Sequence, residues 1–120
     1  MIETIVSLET AKLLKEEEFN VNVNTYYDEY NRLQVDKPKN DWNDPLYLGT
    51  ICSAPTQSLA QQWLRDEKML ILIIDVDFTE LECYYCNIYD KTRVLREQTK
   101  NCITYEEALE EGLKQALKLI

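Results

Sequence analysis

The run Met69 to Phe78, MLILIIDVDF, limits what this chain can fold into more than any other segment. Side chains alternate across a strand. Leu70, Leu72, Ile74, Val76 and Phe78 therefore share one face, and Met69, Ile71, Ile73, Asp75 and Asp77 share the other. The first face is apolar throughout, whereas the second begins apolar and ends acidic, a pattern that predicts a central strand with one side in a core. A short turn near Thr79 to Leu81 leads into Glu82 to Tyr89, which places Tyr84, Cys86 and Ile88 on one face and Cys83, Tyr85, Asn87 and Tyr89 on the other. A parallel return would need a crossover of about a dozen residues, so these strands pair antiparallel. A third strand through Arg93 to Gln98 completes a meander.

Three helices follow from capping and periodicity. Ser7 caps a helix over 8–18 whose apolar stripe is Leu8, Ala11 and Leu14, with Leu13 beside them. Ser53 is expected to cap a second over 55–67, with Pro55 tolerated in its first turn and Leu59, Ala60, Trp63 and Leu64 inward. The last opens with a capping box, Thr104 to Glu107, and runs through Leu119. Its apolar face is Tyr105, Ala108, Leu109, Gly112, Leu113, Ala116, Leu117 and Ile120, and Glu110 stands four residues before Lys114 as an expected ion pair. Gly112 in that face permits close approach of a neighbour.

Between the first two helices, Thr25, Tyr26, Tyr27 and Tyr30 favour strand. A hairpin is expected near 24–36, turning around Glu29 to Arg32 with Asn31 in the left-handed conformation. The stretch DKPKNDWNDP then reads as part of an irregular surface loop over about 37–52, with Trp42 inside it. The order helix, hairpin, helix, three-strand meander, helix predicts a single α+β domain over 1–120. It is expected to be a two-layer sandwich, with the helices packed on one face of a mostly antiparallel sheet.

Charge and composition restrict function. Thirteen Lys and Arg against 22 Asp and Glu leave a net charge of -9, which repels a phosphate backbone. Lys91, Arg93, Arg96 and Lys100 form a sparse cationic stretch broken by Asp90 and Glu97, so direct nucleic-acid binding is not expected. The longest apolar run, Met69 to Ile74, is far short of the roughly 20 residues of a membrane-spanning helix. Glu3 and Glu9 bracket the short patch Ile5, Val6, Leu8 where a secretion signal would be apolar, making a cytoplasmic location the expectation.

The residues that usually carry chemistry are sparse. Cys83 and Cys86 have the CxxC spacing, but an odd separation in a strand points them to opposite faces, and no second pair or histidine accompanies them. Packing as reduced thiols, together with Cys52 and Cys102, is therefore the leading expectation over zinc or redox chemistry. Asp75, Asp77, Glu80 and Glu82 form an acidic group suited to an oxygen-coordinated cation, which keeps a metal-dependent enzyme built on Asp75 and Asp77 as an alternative to a solvated sheet edge. Without histidine there is no ordinary neutral-pH general base, and Gly49 and Gly112 alone cannot build a phosphate loop. The balance leans against an enzyme, and no cofactor is implied. Eight tyrosines and two tryptophans remain, of which Trp42, Tyr26, Tyr27, Tyr30, Tyr85 and Tyr89 are the candidate interaction surface. Ordinary packing at half-buried sheet positions accounts for the same residues.

The segments SAPTQSL (53–59), QWLR (62–65), TYEEALEEGL (104–113) and LKLI (117–120), with LETAKL (8–13), resemble a family of small uncharacterised proteins of Bacteroides-type gut bacteria and their phages or mobile elements. The resemblance spans most of the chain and is weakest over 31–50. It implies a shared origin and fold, and carries across no catalytic residue. The leading expectation is a small acidic protein-interaction or accessory factor with a protein partner or a second copy of itself. An acidic mimic of nucleic acid that antagonises a basic protein is the alternative.

Overall fold

The structure, a computed structural model, describes residues 3–39, 42–43, 50–79 and 83–120. The chain is α+β, and its described residues form three helices and two three-stranded antiparallel sheets. Its contacts gather into two compact units, one over Ile5–Thr56 and the other over Gln57–Ile120 with Glu3 and Thr4.

In the first unit, α1 (Leu8–Glu16) starts where the Ser7 hydroxyl accepts from the Thr10 N–H at 3.3 Å. It stops two residues earlier than expected because Glu18 adopts φ 64. The Glu18 N–H donates to Lys15 O and the Phe19 N–H to Leu14 O, both at 3.0 Å, with Phe19 and Leu14 buried. This is a Schellman stop with glutamate where glycine is usual.

β1 (Val23–Asp28) and β2 (Leu33–Lys39) form the expected hairpin, and Asn31 is left-handed at φ 62. β3 (Thr50–Ser53) pairs with the other edge of β1, giving the order β2-β1-β3. The loop expected over 37–52 is thereby shortened. Residues 37–39 belong to β2 and 50–52 to β3, while 40–41 and 44–49 lie outside the described residues. Ser53 ends this strand instead of capping a helix, its N–H donating to Asn43 Oδ1 at 2.9 Å. Lys15 Nζ ties α1 to β3 by donating to Ile51 O at 2.7 Å.

In the second unit, α2 (Gln57–Lys68) ends at Met69, which at φ 57 turns the chain so that the Leu70 N–H reaches Leu64 O. The meander β4 (Ile71–Asp77), β5 (Cys83–Tyr89), β6 (Leu95–Gln98) has the order β4-β5-β6, and β4 pairs with β5 without a break from Ile71↔Tyr89 to Asp77↔Cys83. α3 (Tyr105–Lys118) begins where Thr104 Oγ1 accepts from the Glu107 N–H at 3.1 Å and covers one face of this sheet. A Cβ on Gly112 would lie 2.4 Å from Cys86 Sγ, so helix and strand touch where the glycine allows. Glu110 and Lys114 each also engage a further partner. Glu110 Oε1 accepts from the buried Gln57 amide at 3.0 Å, and Lys114 pairs with Glu111 at 3.2 Å. A buried amide has no water to turn to, so an acceptor for Gln57 matters to stability.

The single sheet expected from the element order is two sheets. β3 completes the first. At the outer edge of β4, Leu72 O accepts from Gln61 Nε2 at 2.9 Å and the Val76 N–H donates to Asp75 Oδ1 at 2.8 Å. Groups answered by side chains are withdrawn from strand pairing.

Candidate functional site

The register of β4 and β5 sorts their side chains. Leu72, Ile74 and Val76 pair with Ile88, Cys86 and Tyr84, and these face α3. Ile71, Ile73, Asp75 and Asp77 pair with Tyr89, Asn87, Tyr85 and Cys83 on the outer face, as the alternation predicts, and β6 adds Gln98 beside Asn87 and Leu95 beside Tyr89. Among the described residues, no helix of this unit covers the outer face, and α3 lies against the other one through Gly112. Ile73 is 49% exposed, Leu95 is exposed, and Ile71, Tyr85 and Tyr89 are half-buried. Ile71, Ile73, Tyr89 and Arg93 line a notch of about 380 Å³ at one end.

The other end is acidic. Asp75 is exposed beside Tyr85, whose hydroxyl is pushed above its ordinary pKa first by burial and then by the charges of Asp75 and Asp77. Asp77 Oδ1 accepts from the Thr79 hydroxyl and N–H, and Oδ2 from Asn101 Nδ2 at 3.2 Å. These bonds, Thr79's first, hold the carboxyl below the usual range. Asp77 is thus occupied in closing the turn, and Glu80 and Glu82 lie outside the described residues. Among the described residues no three His, Cys, Asp or Glu side chains gather to hold a metal ion.

Cys83 and Cys86 point to opposite faces, as their spacing predicts. Burial pushes the Cys86 thiol up to about 12 and the Cys52 thiol to about 11, so both are protonated and unreactive at neutral pH. Cys102 is also raised, by burial and then by Glu111 and Glu107. At the centre of the outer face, the Asn87 side-chain oxygen is buried without a hydrogen-bond partner, a rare state for a polar atom.

The aromatic residues named from the sequence divide. Trp42 is 2% exposed instead of lying on a surface loop. Its Nε1 donates to Val23 O at 2.7 Å and its ring stacks on Tyr26 at 4.4 Å, with Lys39 Nζ 4.9 Å from the ring centre. Asn43 beside it donates to Phe19 O at 2.7 Å, locking the turn. An indole among asparagines and prolines reads as loop because the β1 residues it packs on, Val23 and Tyr26, lie well before it in the sequence. The Tyr27 hydroxyl donates to Val6 O at 2.7 Å, so Tyr26 and Tyr27 serve the first unit's core. Tyr30 is exposed at the hairpin tip beneath the Arg32 guanidinium. Tyr85 and Tyr89 share the outer face of the second sheet. Sequence reasoning missed Ile71, Ile73 and Arg93 as their companions, although the outward apolar start of β4 was the signal for the two isoleucines. Phe78, expected on the inner face, is 89% exposed because β4 ends before it at Asp77.

No protein-family model, curated protein or solved structure matches the chain.

Proposed function

We propose that the chain is a small acidic protein-interaction factor whose contact surface is the outer face of β4, β5 and β6. The observation that carries this reading is a sheet covered by α3 on one side and presenting Ile71, Ile73, Tyr85, Tyr89 and Leu95 on the other. Apolar and aromatic side chains exposed together on a regular surface mark contact sites, and Tyr supplies contact area at a low cost in side-chain entropy.

The test is site-directed photo-cross-linking. A benzophenone side chain at position 73 is expected to capture a discrete partner, and the additional substitution Ile71→Asp to suppress the adduct. The same probe at Val35, which is 72% exposed on the first sheet, should capture nothing comparable. Equal yields at the two positions would refute the assignment of this face.

A further inference from the structure

The outer face offers an occupant side chains and no strand ladder. The β4 edge groups Leu72 O and Val76 N–H are already engaged, and a segment lying across the middle of a sheet finds no free backbone partner. An occupant must therefore satisfy its own backbone, as a helix does. Charge then orients it. The notch between Ile71, Ile73, Tyr89 and Arg93 lies at one end of the strands, and Asp75 and Asp77 lie at the other. Four residues of strand, about 13 Å, separate the two.

Resting on the interaction reading above, we infer that this face seats an amphipathic helix of a partner protein, apolar along the contact and basic at the end lying over Asp75 and Asp77. A rise of 1.5 Å per residue converts about 13 Å into roughly two helical turns, and a lysine side chain spans the remainder. The recognition pattern is a bulky anchor at position i with Lys or Arg at i+7 or i+8. The anchor is aromatic, because Arg93 at the notch adds a cation–π attraction that an aliphatic side chain lacks. The length of the face, about 20 Å, matches three to four turns of such a helix. A second copy of the chain fits less well. Two chains of charge -9 repel, whereas a basic helix is attracted.

The test titrates the full-length, isotope-labelled protein with three synthetic helical peptides of about 18 residues, five turns. The first has an aromatic-anchored apolar stripe and Lys at i+7 and i+8, the second has Glu at those two positions, and the third has the stripe scrambled. The first is expected to shift the amides of Ile71, Ile73, Asp75, Tyr85, Asn87 and Tyr89, and the second to bind about fivefold or more weakly. Asp75→Lys, which leaves Asp77 to balance it, should abolish that preference. Asp75→Asn, which keeps an acceptor for the Val76 N–H and leaves the Asp77 charge, should reduce it by about half on a logarithmic scale. Equal affinity of the Lys and Glu peptides, or shifts confined to other residues, overturns the inference. The same shifts on concentrating the protein alone would overturn it in favour of a second copy. Cross-linking at position 73 without discrimination between Lys and Glu peptides would remove the basic helix and leave the interaction face. Failure of both experiments would remove the face itself.

Discussion

Two positions show how single residues govern this fold. Glu18 holds a left-handed conformation at φ 64 and is exposed, so its side chain contributes little to offset the steric cost of that backbone. Glu18→Gly is expected to stabilise the first unit by about 0.5–1 kcal/mol, measured by urea denaturation. Gly112 is the opposite case. A methyl group there meets Cys86 Sγ at 2.4 Å and Cys86 Cβ at 2.9 Å, and the second atom is fixed to the β5 backbone. Gly112→Ala should cost about 1–3 kcal/mol in the same measurement despite alanine's better helix propensity. Adding Cys86→Ala should recover part of that loss, because it removes the sulfur and not the Cβ. Only Gly112 announced itself in the sequence, as the one glycine on an otherwise apolar helix face. Nothing local marks Glu18, because glutamate is an ordinary helix former.

At the scale of elements, one turn is built twice. In Asp28–Arg32 and in Asp90–Val94 the aspartate N–H donates to the carbonyl four residues on, and the fourth residue is left-handed, Asn31 at φ 62 and Arg93 at φ 65. The aspartate Oδ1 accepts the N–H groups two and four residues on. Asn31 was legible because asparagine tolerates this conformation, whereas Arg93 was not, since arginine carries no such preference. Both aspartates are held below their ordinary pKa, Asp28 chiefly by the Arg32 N–H and Asp90 chiefly by the Thr92 hydroxyl. The folded carboxyls therefore bind protons less readily than the unfolded ones. Their stabilisation is complete above the unfolded aspartate pKa of about 4 and is lost as pH falls through the lower folded value. Asp28→Asn and Asp90→Asn should each flatten the fall in melting temperature below pH ~4.

At the scale of the molecule, the chain forms two compact units, and each keeps a thiol that reports on it. Cys52 lies in the first and Cys86 in the second, both fully buried with raised pKa values. Under native conditions at neutral pH both should resist alkylation while the half-buried Cys83 reacts sooner. Mass spectrometry of the labelled sites then yields an opening rate for each unit. Labelling of Cys86 as fast as Cys83 would contradict the packing of α3 on β5. Among the described residues no helix is long and apolar enough to cross a membrane. The sequence by itself determined whatever rests on interactions within a few residues. These are the three helices and the caps at Ser7 and Thr104, the Asn31 hairpin, and the β4 and β5 faces with their opposed cysteines. The tertiary structure decided what depends on partners distant in the chain. β3 became a strand by pairing with β1, Trp42 was buried under Val23 and Tyr26, and the buried Gln57 amide found its acceptor in Glu110. The six strands among the described residues divided into two sheets, and the Gln61 and Asp75 side chains meet Leu72 O and the Val76 N–H at the outer edge of β4. Periodicity records which side of an element is apolar. It does not record what that side meets, and the helix-free face of the second sheet, the basis of the proposed contact, is a product of that difference.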